Sequence, residues 1–330
     1  MIHYLPIENI EQRYTKLMNE IVYPYCDYIY YPSELQEIQI KKGEFLDVER
    51  TIQFKARQIE MISIAFQEDK IKDGDWFLFG DMFFPAIESV KYMAELQGIK
   101  IKIAGFNYAG RSDKFDFVRK LNNWSDIAEL NYHEVCDIVF VGSEFHKNNV
   151  VSYFNQSENK IKVTGYIWDV EKAYNLFPYK LPKEDFIIFP HRVSAEKGID
   201  DLIEIANSMP NKKFIITSSS SNDINITLPK NIEYINKLTK KEYYSYMSRA
   251  KYYLSTAYQE TFGYTLREAL MYDCIIAVPN RVCYAEMIPS TNLFNHNSEV
   301  KKIFEEGLIM NAEVVNMYSN NIEKVISYLN

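Results

Sequence analysis

From about residue 74 the chain repeats one rhythm: a short apolar run, a loop, then a segment with apolar residues at helical spacing. WFLFG (76–80) is continuously aromatic and aliphatic, as expected of a strand buried on both faces. In PAIESVKYMAEL (85–96), Pro85 suits a first helical turn, and Ile87, Val90 and Ala94 fall on one face. IKIKIAGF (99–106) alternates like a strand, and CDIVFVGS (136–143) and KIKVTGY (160–166) read as two more.

The second half keeps the rhythm more plainly. DFIIFP (185–190), KKFIITSS (212–219), NIEYI (231–235), KYYLSTA (251–257) and CIIAVP (274–279) read as strands. Helical patterns lie between them at 199–208, 240–249 and 264–272. Strands alternating with helices predict βαβ units and parallel sheets. The two series are separated near NLFPYKLPKED (175–185), where Pro178 and Pro182 mark a linker. An α/β protein with two doubly wound domains follows, over 1–170 and 171–330. The first 60 residues differ: they are polar and tyrosine-rich, with helical patterns over 8–20 and 45–66, and no strand is assigned to them.

Composition agrees with two packed domains. The 330 residues are 47% hydrophobic and 25% charged, far from a disordered composition. A net charge of −8 weighs against non-specific nucleic-acid binding by the whole surface and leaves room for a local basic patch. Cys26, Cys136, Cys274 and Cys283 form no CxxC pair and sit among apolar neighbours, as reduced core residues of a cytosolic protein would. The start MIHYLPIENI has neither the basic region nor the apolar run of a signal peptide, and no stretch approaches the ~20 apolar residues of a membrane span. A cytoplasmic location is expected, the host cytoplasm if the gene is phage-borne.

Chemistry enters with YQETFGYTLREAL (258–270), which follows a strand and opens a helix. In open α/β sheets ligands bind beyond the carboxyl ends of strands. The N–H groups of Phe262, Gly263, Tyr264 and Thr265 are expected as open first-turn donors, suited to phosphate. Gly263 is expected to allow a close backbone approach. Glu268, one turn into the helix, can accept from two vicinal hydroxyls, and Glu260 stands on the other side of the turn. Alone, each glutamate could be an ordinary solvated charge; together, flanking a phosphate turn, they fit a sugar–diphosphate–nucleoside. FPHRVSAEKGIDDLI (189–203) also links a strand to a helix, and offers Arg192, which can fork onto phosphate oxygens, and Lys197, a point charge.

HRVSAEKGIDDLI followed by ETFGYTLREAL resembles the nucleotide-sugar site of retaining glycosyltransferases of the GT-B fold. These have an Arg…Lys-Gly loop and a Glu-x7-Glu motif with Phe-Gly after the first glutamate. The match is close over about 185–290, and its coarse pattern runs from 74 to 170. The resemblance implies two Rossmann-like domains facing across a cleft. The acceptor side would lie on the first and the nucleotide-sugar on the second, with the last helix (about 311–328) packing back on the first. It implies that Arg192 and Lys197 hold the pyrophosphate, Glu260 the transferred sugar and Glu268 the ribose. It implies a UDP- or GDP-linked donor, with no metal and no further cofactor. Glu286, in CYAEMI, lies near a further family glutamate, but reads here as a helix-start charge. The chain departs from the family in three places. Asp273 replaces a usual glycine; Asn107 and Tyr108 stand where many relatives have a histidine; the N-terminal Gly-rich loop is absent. Asp81, Asn107 and Tyr108 are the candidates for the acceptor side.

Two other patterns mimic metal sites. Asp73 and Asp75 in KDGDW resemble the metal motif of the other large glycosyltransferase fold, but Gly74 between them favours a turn. His3, His133, His146, His191 and His296 show no ligand spacing. The opening HYLPIENIEQRYTKLM is similar to the start of some phage-encoded glycosyltransferases, which points to a hydroxymethylated pyrimidine in DNA as acceptor. Tyr14, Phe83, Phe84 and Tyr108 could stack on a flipped base, and Lys41, Lys42, Lys100, Lys102, Arg111, Lys114, Arg119 and Lys120 could form a basic rim. The alternatives are a cell-envelope glycan or small-molecule acceptor, an epimerase or hydrolase on the same fold, and a binding module without turnover. The oligomeric state is left open.

Overall fold

The computed structural model describes residues 1–10, 14–34, 47–218, 226–307 and 321–330. The chain divides into two compact units. One comprises Met1–Trp168 with the last helix, Asn321–Leu329; the other begins at Asp169.

The first unit is built on six parallel strands: β1 (Ile2–Leu5), β2 (Tyr28–Ile29), β3 (Trp76–Phe79), β4 (Lys102–Phe106), β5 (Ile138–Val141) and β6 (Ile161–Val163), in the order β2-β1-β3-β4-β5-β6. Its helices are α1 (Thr15–Val22), α2 (Val48–Gln67), α3 (Ile87–Leu96), α4 (Trp124–Val135) and α5 (Glu144–Phe154). All four residues of β3 are buried, as its unbroken apolar run requires of a sheet covered on both faces. The strand β1 corrects the sequence reading: IHYL sits next to β3 in the sheet interior, but four residues beside the chain start carry too little pattern to be seen. The N-terminal strand is tied down by Asp75. Its carboxylate takes the Met1 ammonium at 3.0 Å, the Lys72 N–H at 2.7 Å and His3 Nε2 at 3.1 Å. Asp73 accepts the Lys100 N–H at 2.8 Å, and Gly74 adopts φ +85°. KDGDW is a structural turn. The last helix returns to this unit: Asn321 Nδ2 donates to the Tyr166 carbonyl at 2.7 Å, and Tyr328 packs near Phe140. The part of that predicted helix over 311–320 lies outside the described residues.

The second unit has β7 (Glu184–Phe189), β8 (Lys213–Ser218), β9 (Ile232–Asn236), β10 (Ala250–Leu254), β11 (Ile275–Pro279) and β12 (Leu293–Phe294), all parallel, in the order β12-β11-β10-β7-β8-β9. Its helices are α6 (Val170–Asn175), α7 (Ile199–Ser208), α8 (Lys240–Arg249), α9 (Tyr264–Met271), α10 (Tyr284–Met287) and α11 (Val300–Glu306). The chain runs from β7 outward to β9, then returns to place β10 on the other side of β7. The topological switch point, where ligands bind in such sheets, therefore lies between the carboxyl ends of β7 and β10. Asp273, which stands in place of the usual glycine, has φ +55°; the site demands a left-handed turn into β11, which an aspartate tolerates at some cost.

All four cysteines are free thiols; Cys136, Cys274 and Cys283 are buried and Cys26 is only half-buried. Among the described residues no helix is long and apolar enough to cross a membrane.

Candidate active site

Two loops meet at the switch point of the second unit. The loop after β7 carries His191, Arg192 and Lys197, and the loop after β10 carries Glu260 and opens α9. They are zipped together through the backbone: the Tyr258 and Gln259 N–H groups donate to the Glu196 carbonyl at 2.9 and 3.1 Å. Thr256 Oγ1 donates to the carbonyls of Lys197 and Gly198 at 2.9 and 2.8 Å. At this crossing only glycine fits. Gly198 has φ +70°, and a Cβ there would lie 2.2 Å from the Thr256 carbonyl oxygen. The Lys-Gly pair thus has a mechanical meaning: Gly198 permits the contact that delivers the Lys197 ammonium to the Gln259 carbonyl at 2.6 Å and to Glu260 Oε2 at 3.5 Å.

Glu260 corrects the expectation of open amides. Its Oε1 accepts the N–H groups of Thr261, Phe262 and Gly263 at 3.2, 3.4 and 3.0 Å. The carboxylate occupies the place that an external anion would take at the start of α9. Burial pushes its carboxyl up, but Lys197 and the N–H groups of Gly263 and Phe262 outweigh burial and hold it below the ordinary carboxylate value. Gly263 has φ +73°, a left-handed conformation that favours glycine, and a Cβ there would make only ordinary van der Waals contact with the protein's own atoms. Thr265 Oγ1 is bonded to the Tyr253 hydroxyl at 2.9 Å, and Tyr264 packs edge-on against Phe262. Arg192 pairs with Glu196 at 3.1 Å while remaining 39% exposed, so it can turn to another anion at little cost. His191 is buried, and burial with the nearby Lys197 lowers its pKa to about 3, so it stays neutral and is no phosphate cation.

Glu268 is 3% exposed on α9, and α8 supplies its partners. Lys240 Nζ donates to Oε1 at 2.8 Å, the Tyr244 hydroxyl to Oε1 at 3.0 Å and the Tyr243 hydroxyl to Oε2 at 2.6 Å. Oε2 takes one of these bonds and Oε1 two, so a bidentate grip on a diol would need Lys240 or Tyr244 to move from Oε1. The sequence reading missed these partners, and also Arg281. Arg281 donates to the Thr256 and Ala257 carbonyls at 2.7 and 3.0 Å and lies over the Tyr258 ring. The spacing of Lys240, Tyr243 and Tyr244 puts them on one helix face, which was the available signal; nothing in it named Glu268. Glu286 lies in the first turn of α10, as a helix-start charge.

In the first unit, Asp81 follows β3 and pairs with Lys55 at 2.8 Å. Asn107 and Tyr108 follow β4. Asn107 is fully buried, with Nδ2 3.4 Å from His133 Nε2, and the Tyr108 hydroxyl contacts Met18 Sδ at 3.1 Å. Two acceptor-side expectations fail here. Arg111 is 7% exposed and belongs to no rim, and Phe84 is 2% exposed, packed on Phe79, and cannot stack on a base. Lys41 and Lys42 lie outside the described residues. Among the described residues no group of three or more His, Cys, Asp or Glu could hold a metal.

Residues 176–326 match the family model for glycosyl transferases group 1. A tRNA-queuosine alpha-mannosyltransferase of Drosophila melanogaster is 28% identical over 134 residues, spanning 36% of this chain and 34% of that protein. Sucrose-phosphate synthase from Thermosynechococcus elongatus shares the fold with a TM-score of 0.64 at 12% identity, covering 99% of this chain and 94% of that one. The lipopolysaccharide outer core galactosyltransferase WaaB aligns with a TM-score of 0.63 at 11% identity over 99% of both chains. TarM of S. aureus, crystallised with UDP, aligns with a TM-score of 0.56 at 15% identity over 82% of this chain and 58% of its own. The chain thus shares the fold of these GT-B glycosyltransferases, and its residues 176–326 carry the match to glycosyl transferases group 1.

Proposed function

We propose that the protein transfers a sugar, with retention, from a UDP- or GDP-linked donor to an acceptor hydroxyl. The observation that carries this reading is the Lys197–Glu260–Gly263 cluster at the β7/β10 switch point: a cation, three N–H donors and a helix N-terminus converge where an anion can replace the Glu260 carboxylate. In the reaction, the glycosidic C–O bond to the diphosphate breaks as the acceptor oxygen bonds to the anomeric carbon on the same face. The departing β-phosphate takes the acceptor proton. Lys197, Arg192 and the α9 N–H groups stabilise the charge developing on that phosphate. Glu260, once displaced from the amides, turns to the sugar hydroxyls, and Glu268 with Tyr243 receives the ribose. This reading needs no divalent ion.

For the acceptor we favour a nucleic-acid base carrying a hydroxyl, specifically a hydroxymethylated pyrimidine in DNA, with Asp81, Asn107 and Tyr108 on the acceptor side. The phage-like opening supports this. So does the Drosophila relative, whose name places its mannosyl group on a modified nucleoside of tRNA. Calorimetry with UDP and GDP, combined with product analysis with and without acceptor, tests the donor half. Binding with acceptor-dependent diphosphate release is expected. Binding without turnover would mean a binding module, and an isomerised donor without acceptor would mean an epimerase.

A further inference from the structure

The helix α4 fully buries only polar residues, with Tyr132 and Val135 half-buried against the core. Its buried residues are Ser125, Glu129 and His133, all polar and four apart, while Trp124 is 60% and Ile127 74% exposed. Burial of the polar face has a local reason. The Arg111 side chain, itself buried, donates to Asp126 Oδ1 at 2.5 Å, to Ser125 Oγ at 2.9 Å, and to the Val118 and Leu121 carbonyls, both at 3.1 Å. One residue earlier, Gly110 has φ +123°, and a Cβ there would lie 2.3 Å from Glu129 Oε1; Glu129 Oε2 accepts the Arg111 N–H at 2.8 Å. The connection leaving the carboxyl end of β4 is therefore pinned from beneath into a fixed platform. The connection exposes Lys114, Arg119 and Lys120, and the helix that follows it exposes Trp124 and Ile127. The Arg119 guanidinium lies 5.2 Å over the Tyr153 ring and donates to its hydroxyl at 2.8 Å, a geometry that holds its planar fork ready. The acids of the segment are engaged locally: Asp113 and Asp116 accept the Phe115 and Val118 N–H groups, and Asp126 pairs with Arg111 while staying partly exposed.

We propose that this platform is where a nucleic-acid acceptor docks. Lys114, Arg119 and Lys120 meet phosphates, Trp124 stacks on a base, and Ile127 is the apolar wedge beside it. Cations interleaved with a free-standing indole suit a charged strand with stackable faces, and the platform leaves the same strand end as Asn107 and Tyr108. The inference rests on the nucleic-acid reading of the acceptor and adds the surface that would hold it.

The test uses the full chain and a fluorescent DNA of about 20 nucleotides containing hydroxymethyluracil, single-stranded and duplex, titrated by anisotropy at several salt concentrations. Arg119→Glu with Lys120→Glu should weaken binding at least tenfold and lower the salt slope by about 1.5. Trp124→Ala should weaken it about tenfold with the slope unchanged. Donor hydrolysis without acceptor should be the same in all three proteins, which shows that they are folded. If the enzyme glycosylates the DNA but these variants bind like wild type, the platform is refuted and the acceptor reading stands. Absence of both binding and transfer overturns both. Trp124-dependent flotation with vesicles containing phosphatidylglycerol, or a dimer abolished by Ile127→Ser, with no DNA binding, would give the surface to a lipid or a second copy and refute the proposal.

Discussion

Glu260 Oε1 lies 3.0 Å from the Gly263 amide nitrogen while its other oxygen lies 3.5 Å from the Lys197 ammonium. The chain's own carboxylate thus holds the anion position. On the proposed reading a diphosphate displaces it, and Lys197 is the cation that stays. Lys197→Ala should lower turnover about 10²–10³-fold, and also lower the melting temperature, because it leaves the mostly buried Glu260 carboxylate without its cation. Activity within threefold of wild type, measured by diphosphate release, would remove Lys197 from the site.

Gly198→Ala should be more damaging to structure than its size suggests. The added Cβ would meet the Thr256 carbonyl at 2.2 Å in a left-handed backbone. A loss of about 1–3 kcal/mol is expected from the backbone strain alone, and more from the clash. Chemical denaturation reads the loss and calorimetry with UDP or GDP should show weakened binding. An unperturbed variant would mean the two loops are not locked as described.

Glu129 gives a pH prediction. Burial raises its pKa from 4.5 to about 8. Below pH 4.5 the folded and unfolded chains both hold the proton; between 4.5 and 8 only the folded chain does. Its favourable contribution is therefore complete at low pH and declines as pH rises through that window. The wild-type melting temperature should fall relative to Glu129→Gln between pH 5 and pH 8, and parallel curves would contradict the assignment.

Chelation should leave activity unchanged. Asp73 and Asp75 are spent on backbone N–H groups, the chain terminus and His3. Asp75→Asn should instead destabilise the fold, by freeing the Met1 ammonium and β1. Activity abolished by EDTA and restored by Mn²⁺ would reverse this account of the two aspartates.

Much of this architecture was legible in the sequence because parallel strands buried on both faces, such as WFLF in β3 and FIIF in β7, announce themselves as unbroken apolar runs. The two loops at the switch point were legible because glycine at a left-handed position, as at 198 and 263, leaves a fixed mark. What escaped was long-range pairing. Nothing near Glu268 reveals that Lys240, Tyr243 and Tyr244, on another helix, take its lone pairs. Arg111 read as a rim cation because charge suggests the surface, yet its five donors found four buried or half-buried acceptors. β1 escaped because its four buried residues have no room to show a period.

The most direct test of the central claim is nucleoside mass spectrometry. Hydroxymethyluracil and hydroxymethylcytosine DNA are incubated with the enzyme and a panel of UDP- and GDP-sugars, then digested. The account predicts a nucleoside heavier by one sugar residue with one donor, matched by stoichiometric release of its diphosphate, and loss of both in Lys197→Ala. Diphosphate release without any sugar-bearing nucleoside would contradict the acceptor, and an adduct formed equally well by Lys197→Ala would contradict the site.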